Sequence, residues 1–84
     1  MVMIHIGQLI EAELRRQERS ITWFAKKLFC DRTNVYNIFK RQSIDTETLL
    51  RISQILHHDF FVYYQAEIMR HIEDISSDIQ DRQR

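Results

Sequence analysis

The run SITWFAKKLFCDRTNVYNIFKR, residues 20–41, decides how this chain folds. Phe24, Ala25 and Leu28 recur at i, i+1 and i+4, the inward stripe of a helix. Ser20 stands ahead of them as an N-cap, although Trp23 occupies the position where a capping box carries Glu. Phe29-Cys30 leaves room for only a very short link. Asp31 then opens a second helix, its side chain placed to accept from the backbone N–H of Asn34. Val35 and Ile38 point inward from that helix. Arg32, Thr33, Asn34, Tyr36, Asn37 and Lys40 remain for its outside.

Both flanks continue the helical pattern. On the N-terminal side, Ile6, Leu9, Ile10 and Leu14 predict a helix over roughly residues 4–17, with Glu11, Glu13, Arg15 and Arg16 on its other face. On the C-terminal side, the polar connector Arg41-Gln42-Ser43 leads to Asp45, another N-cap, and Leu49, Ile52, Ile55 and Leu56 form the stripe of a fourth helix. His57-His58-Asp59 interrupts it, and a fifth helix starts near Phe60. The 84 residues include no proline and one glycine, Gly7. An all-β fold needs a turn every ~8–12 residues, drawn largely from Gly and Pro, so that class is excluded. A hydrophobic content of 44% argues against disorder. The single Cys30 excludes an internal disulfide framework and fits a reducing compartment. The expectation is one small all-α domain of five helices.

Net charge is zero, but it is unevenly placed. Residues 1–18 carry net −1. Residues 19–42 set Arg19, Lys26, Lys27, Arg32, Lys40 and Arg41 against Asp31 alone, net +5. Residues 43–84 hold four Arg and eight acids, net −4. A basic middle third in a neutral chain is the electrostatic shape of a nucleic-acid binder. The N-terminal MVMIHIGQLIEAELRR has no basic leader or unbroken apolar core, and no stretch approaches ~18 apolar residues. The expected address is therefore the cytoplasm, at the nucleoid if DNA is the partner.

Two short helices joined by a brief turn, the second exposing polar side chains, read as a helix-turn-helix over about residues 20–40. Ala25 supplies the small residue where the two helices cross. Phe24, Leu28, Val35 and Ile38 lock the angle. The N-terminal half of the second helix then offers hydrogen-bonding side chains to a major groove.

Phe24-Ala25-(x2)-Leu28, then Asp31-Arg32-Thr33-Asn34-Val35-Tyr36-Asn37-Ile38, then Thr48-Leu49-Leu50-Arg51-Ile52 form an ordered set. On that set, the span from Ile4 to Phe61 resembles the XRE type of DNA-binding domain, the five-helix fold of phage repressors and Cro. The resemblance implies a repressor-like helix-turn-helix domain over residues 1–61 and double-stranded DNA as partner. It implies base-edge contacts at Arg32, Thr33 and Asn37, with Asn34 and Tyr36 at the margin, and phosphate contacts at Ser20, Thr22, Lys40, Arg41 and Ser43. The chemistry suits those roles: Arg32 can fork onto guanine O6/N7, Asn37 can pair with adenine N6/N7, and Thr33 can touch a thymine methyl. The chain departs from the family at Phe29, Arg41 and His57, near positions where glycine is usual. A left-handed backbone costs a residue with a Cβ ~1–2 kcal/mol, which predicts turns of different shape there.

Other constellations carry less. Cys30 and the four histidines show no C-x2-C or H-x3-H spacing, so no metal and no cofactor are expected. His57-His58 is read as a helix end facing its dipole rather than a pH sensor. No Gly-rich phosphate loop or nucleophile motif points to an enzyme. Trp23 and Tyr63-Tyr64 are read as packing, with Trp23 the best exception because it lies near the basic face.

The C-terminal segment, residues 60–84, is read as a helix of about 32 Å at ~1.5 Å per residue, followed by a frayed tail. Ile68, Ile72, Ile75 and Ile79 step by 4, 3 and 4 along it as a short apolar seam, and Gln65 interrupts that seam before Ile68. The four-helix body is too small to cover its length, so the end either frays or meets a partner. The expected function is a sequence-specific transcriptional regulator, a repressor acting as a homodimer through these isoleucines. The competing expectation is an antitoxin-like module that binds a protein, toxin-like, along the same helix.

Overall fold

Short polar side chains start the helices. The computed structural model describes residues 3–82, with side chains described as far as residue 73. The elements are α1 (Ile6–Arg16), α2 (Ile21–Leu28), α3 (Arg32–Lys40), α4 (Thr46–Leu56) and α5 (Phe61–Arg82). Ser20 Oγ accepts from the Trp23 N–H at 3.0 Å, Asp31 Oδ1 from Asn34 at 2.9 Å, and Asp45 Oδ2 from Thr48 at 2.9 Å. Each cap satisfies one of the four N–H groups that a helix start leaves unpaired. Asp45 also accepts from the Thr48 hydroxyl, and these bonds hold its carboxyl below the usual range. His5 caps α1 through Nδ1, which accepts from Gln8 N–H. Among the described residues there is no strand, and no helix is long and apolar enough to cross a membrane.

The core is formed by Ile6, Ile10 and Leu14 from α1, Phe24, Ala25 and Leu28 from α2, Val35 and Phe39 from α3, and Leu49, Ile52 and Leu56 from α4. Phe60 closes it ahead of α5. The expected inward pair of α3 is corrected: Val35 and Phe39 are buried, one full turn apart, and Ile38 is half-buried at the edge with Leu9 and Ile55. A second correction concerns Glu13, expected on the outer face of α1 but only 7% exposed. Burying a carboxylate is costly unless it is paired. Arg16 and Gln17 both donate to it, and His58 Nδ1 lies 3.6 Å from its Oε1. The Arg16 hydrogen bonds outweigh desolvation and bring its pKa down from 4.5 to about 2. Gln17 also donates to the Leu56 carbonyl, and His58 Nε2 pairs with the Tyr63 hydroxyl at 3.0 Å. One carboxylate thus gathers the ends of α1 and α4 and the first turn of α5.

Three helices end on a left-handed residue that is not glycine: Glu18 (φ 58°), Phe29 (φ 56°) and His57 (φ 51°). After α1 the Arg19 N–H reaches back to the Leu14 carbonyl and Glu18 N–H to Arg15. After α2 the Cys30 N–H reaches Ala25 and Phe29 N–H reaches Lys26. These are paired Schellman bonds, which satisfy otherwise orphaned carbonyls. The expectation of differently shaped turns therefore fails at Phe29 and His57. At ~1–2 kcal/mol each, the left-handed penalties are outweighed by the core as a whole, in which each large apolar side chain contributes ~1.5–3 kcal/mol. At Arg41 the backbone is extended (φ −82°, ψ 132°), and its N–H donates to the Ile38 carbonyl.

Gly7 is the one glycine that the packing requires. The start of α1 abuts the end of α3: Ile6 N–H donates to the Gln42 carbonyl and Gly7 N–H to the Arg41 carbonyl, both at 3.0 Å. Unpaired donors of one helix meet unpaired acceptors of another. A Cβ on Gly7 would lie 2.3, 2.4 and 2.7 Å from the carbonyl oxygens of Ile38, Phe39 and Arg41. α5 is held at its beginning, where Phe61, Tyr63 and Tyr64 pack on the core. Further along, Ile68, Met69 and Ile72 are exposed.

Candidate nucleic-acid interface

At ~100° per residue, burial of Val35 and Phe39 turns Thr33, Asn37 and Lys40 to the opposite side of α3. Arg32, Thr33, Asn34, Tyr36, Asn37, Lys40 and Arg41 are all exposed. Five of them divide between two flanks. Asn34, Asn37 and Arg41 line a groove shared with Leu28 and Cys30 at the end of α2 and with Ile44, Asp45 and Thr48 at the start of α4. Tyr36 and Lys40 line the other flank, against the cap residue His5 and Gln8 and Glu11 of α1. Tyr36 meets the Phe39 ring edge-on at 6.3 Å. Asn34 and Tyr36, grouped together in the sequence reading, are thus on different sides.

The ion pairs of the described residues are Arg15–Glu11, Arg16–Glu13, Arg70–Glu67 and, when His58 is protonated, His58–Glu13. Arg19, Lys26, Lys27, Arg32, Lys40 and Arg41 have no carboxylate within ion-pair distance among those residues. Asp45 faces Arg41 across the groove without a direct ion pair, and no other carboxylate of the described residues pairs with these cations. The net positive charge of residues 19–42 remains available to an external anion.

Ser20, Thr22 and Ser43, expected at phosphates, are exposed. The Ser20 oxygen is already the cap acceptor of α2, which leaves its hydroxyl hydrogen as donor. Cys30 is half-buried in the groove wall. Burial and then neighbouring Asp31 push its thiol up, so it stays neutral. Of the C-terminal seam, Ile68 and Ile72 are 57% and 46% exposed. The side chains of Ile75 and Ile79 lie outside the described residues.

Three supports of this surface escaped the sequence reading. Gly7 fixes the end of α3 against α1. Arg51 Nη2 donates to the Leu28 carbonyl at 3.3 Å, tying α4 to the turn before α3. Arg19 lies over the Trp23 ring at 4.5 Å from its centroid, with Lys27 at 5.9 Å. Gly7 carried a signal as a lone glycine inside a helical pattern, and Arg19, Trp23 and Lys27 carried one in their four-residue spacing. Compared with known proteins, the chain matches no family model, no curated protein and no solved structure at significant similarity.

Proposed function

We propose that this protein is a sequence-specific, double-stranded DNA-binding transcriptional regulator of the XRE, repressor-like helix-turn-helix type. The observation that carries the reading is the outer face of α3. Thr33 and Asn37 stand exposed on it, with Arg32 exposed at the start of the helix and Lys40 and Arg41 at its end, and among the described residues none of these cations has a carboxylate within ion-pair distance. Asp31 fixes the start of that helix, and the three-residue link from Leu28 to Arg32 keeps α2 against it. In this reading α3 enters the major groove. Arg32 and Asn37 read base edges, Thr33 meets a methyl group or an acceptor, and Asn34 and Tyr36 contact the two margins. Lys40, Arg41, Ser20, Thr22 and Ser43 hold phosphates.

The test is selection from random duplexes followed by affinity measurements on the selected site. Arg32→Ala and Asn37→Ala should each cost ~1–3 kcal/mol there and much less on random DNA. Removing Lys40 and Arg41 together should weaken all duplexes alike and flatten the salt dependence by ~0.9 per lost contact. Equal losses on selected and random DNA in the α3 variants would reduce Arg32 and Asn37 to positioning roles. No selected site at all would refute the reading.

The exposed Val62, Ile68, Met69 and Ile72 favour a second component. α5 pairs two copies so that two recognition helices meet half-sites ~34–36 Å apart. In the antitoxin-like alternative, the same face binds a different protein.

A further inference from the structure

A second basic concavity lies away from α3, and no α3 residue lines it. It is a groove of about 590 Å³ between α2 and the end of α4, walled by Arg19, Trp23, Lys27, Gln54, Ile55 and His57. That size lies within the ~300–1,000 Å³ of small-molecule sites. No carboxylate lines it. Arg19 and Lys27 lie 4.5 and 5.9 Å from the centroid of the Trp23 ring, so the indole gathers two cations at one site. Neither cation has an ion-pair partner among the described residues. One of the left-handed, non-glycine residues, His57, is itself in the wall. Local strain of this kind concentrates where function sets the backbone.

We infer that this groove binds a phosphate group belonging to a nucleotide. The guanidinium of Arg19 offers a planar fork of donors, and the Lys27 ammonium adds a point charge. Together they match the several acceptor oxygens that a phosphate monoester and a phosphodiester both present. Trp23 and Ile55 supply an apolar wall for the attached sugar or base, and Gln54 and His57 supply polar groups at the rim. Two sources share this chemistry: a free nucleotide, or the backbone of a duplex passing the outer side of α2. The inference stands apart from the reading of α3, because the two surfaces share no residue.

Trp23 is the only tryptophan in the chain and lines this groove, so its fluorescence responds to a ligand bound there, and loss of the response in an Arg19→Ala, Lys27→Ala variant assigns it to the groove and not to the neighbouring Ser20 and Thr22. Full-length protein is titrated with inorganic phosphate, with AMP and with a random-sequence duplex, each against sodium chloride at equal ionic strength. A saturable change with phosphate or AMP identifies the free nucleotide as the source. A change with the duplex alone identifies the DNA backbone. In either case Arg19→Ala combined with Lys27→Ala should weaken the response at least about tenfold, equivalent to ~1.4 kcal/mol. Both side chains are exposed, and an unchanged helical circular dichroism signal verifies the fold of the variant. Arg32→Ala with Asn37→Ala should leave the AMP response intact, so failure of the α3 reading and failure of this one give different results. No saturable response to any probe, a response reproduced by chloride, or an undiminished response in the Arg19/Lys27 variant overturns the inference.

Discussion

Phe29→Gly should make this protein more stable. Phe29 ends α2 at φ 56° and ψ 44°, a left-handed conformation in which a Cβ crowds the following carbonyl. Its side chain is 90% exposed, so deleting the ring removes almost no buried apolar area. Relief of the left-handed backbone is worth ~1–2 kcal/mol. Glycine's extra freedom in the unfolded chain opposes it by ~0.4–1 kcal/mol. The difference is centred on a gain of ~0.8 kcal/mol, or roughly 3–6 °C in Tm for a domain of this size. Thermal and urea unfolding followed by circular dichroism read it directly. Phe29→Ala is the control, because alanine removes the ring yet keeps the Cβ; it should stay near the parent. A glycine variant no more stable than the parent would refute the reasoning. So would an alanine variant stabilised as much as the glycine one, because the effect would then come from the ring and not the backbone.

Gly7→Ala should destabilise by ~3 kcal/mol or more, since its Cβ would overlap three backbone carbonyl oxygens that have no free rotation; a lowered urea midpoint at unchanged slope measures it. Glu13 sets the acid limb of stability. Its folded-state pKa of about 2 lies below the ordinary 4.5, so the unfolded chain binds the extra proton between those values. The stabilisation is complete above about pH 4.5 and is lost as the pH falls to about 2. Its size is roughly 2–3 kcal/mol, taken below the full difference because the Arg16 guanidinium is solvated. The stability gap between the parent and Glu13→Gln should therefore narrow through that window. Truncation before Ile68 should leave a folded helical domain, because the buried core ends at Phe60 and its partly buried flank at Tyr64. Sedimentation should show the shortened chain as a monomer and the full-length chain as a dimer; a monomeric full-length chain at high micromolar concentration would remove the α5 seam from the dimer.

The helices were legible because their determinants are local. Ser20, Asp31 and Asp45 each cap by a hydrogen bond reaching three residues along the chain, and such contacts exist before any tertiary packing does. Most of the inward stripe on α1, α2 and α4 follows from apolar spacing alone. The outward set on α3 was equally readable as whatever the stripe leaves over, together with the charge of residues 19–42. Tertiary structure decided the rest. Phe39 displaced Ile38 from the core because the end of α3 meets the start of α1, an approach close enough to exclude any Cβ at Gly7. Glu13 could be buried only once Arg16, Gln17 and His58 converged on it from the ends of two helices. Three left-handed turns formed without glycine because a modest local penalty is outweighed by the core that those turns allow to close. The cluster of Arg19, Trp23 and Lys27 is by contrast local, since each cation stands four residues from Trp23; only the far wall of that groove, from the end of α4, depends on packing. Hydrogen bonds and stripes within one helix are written in sequence order; contacts between helix ends come into being only when the helices pack.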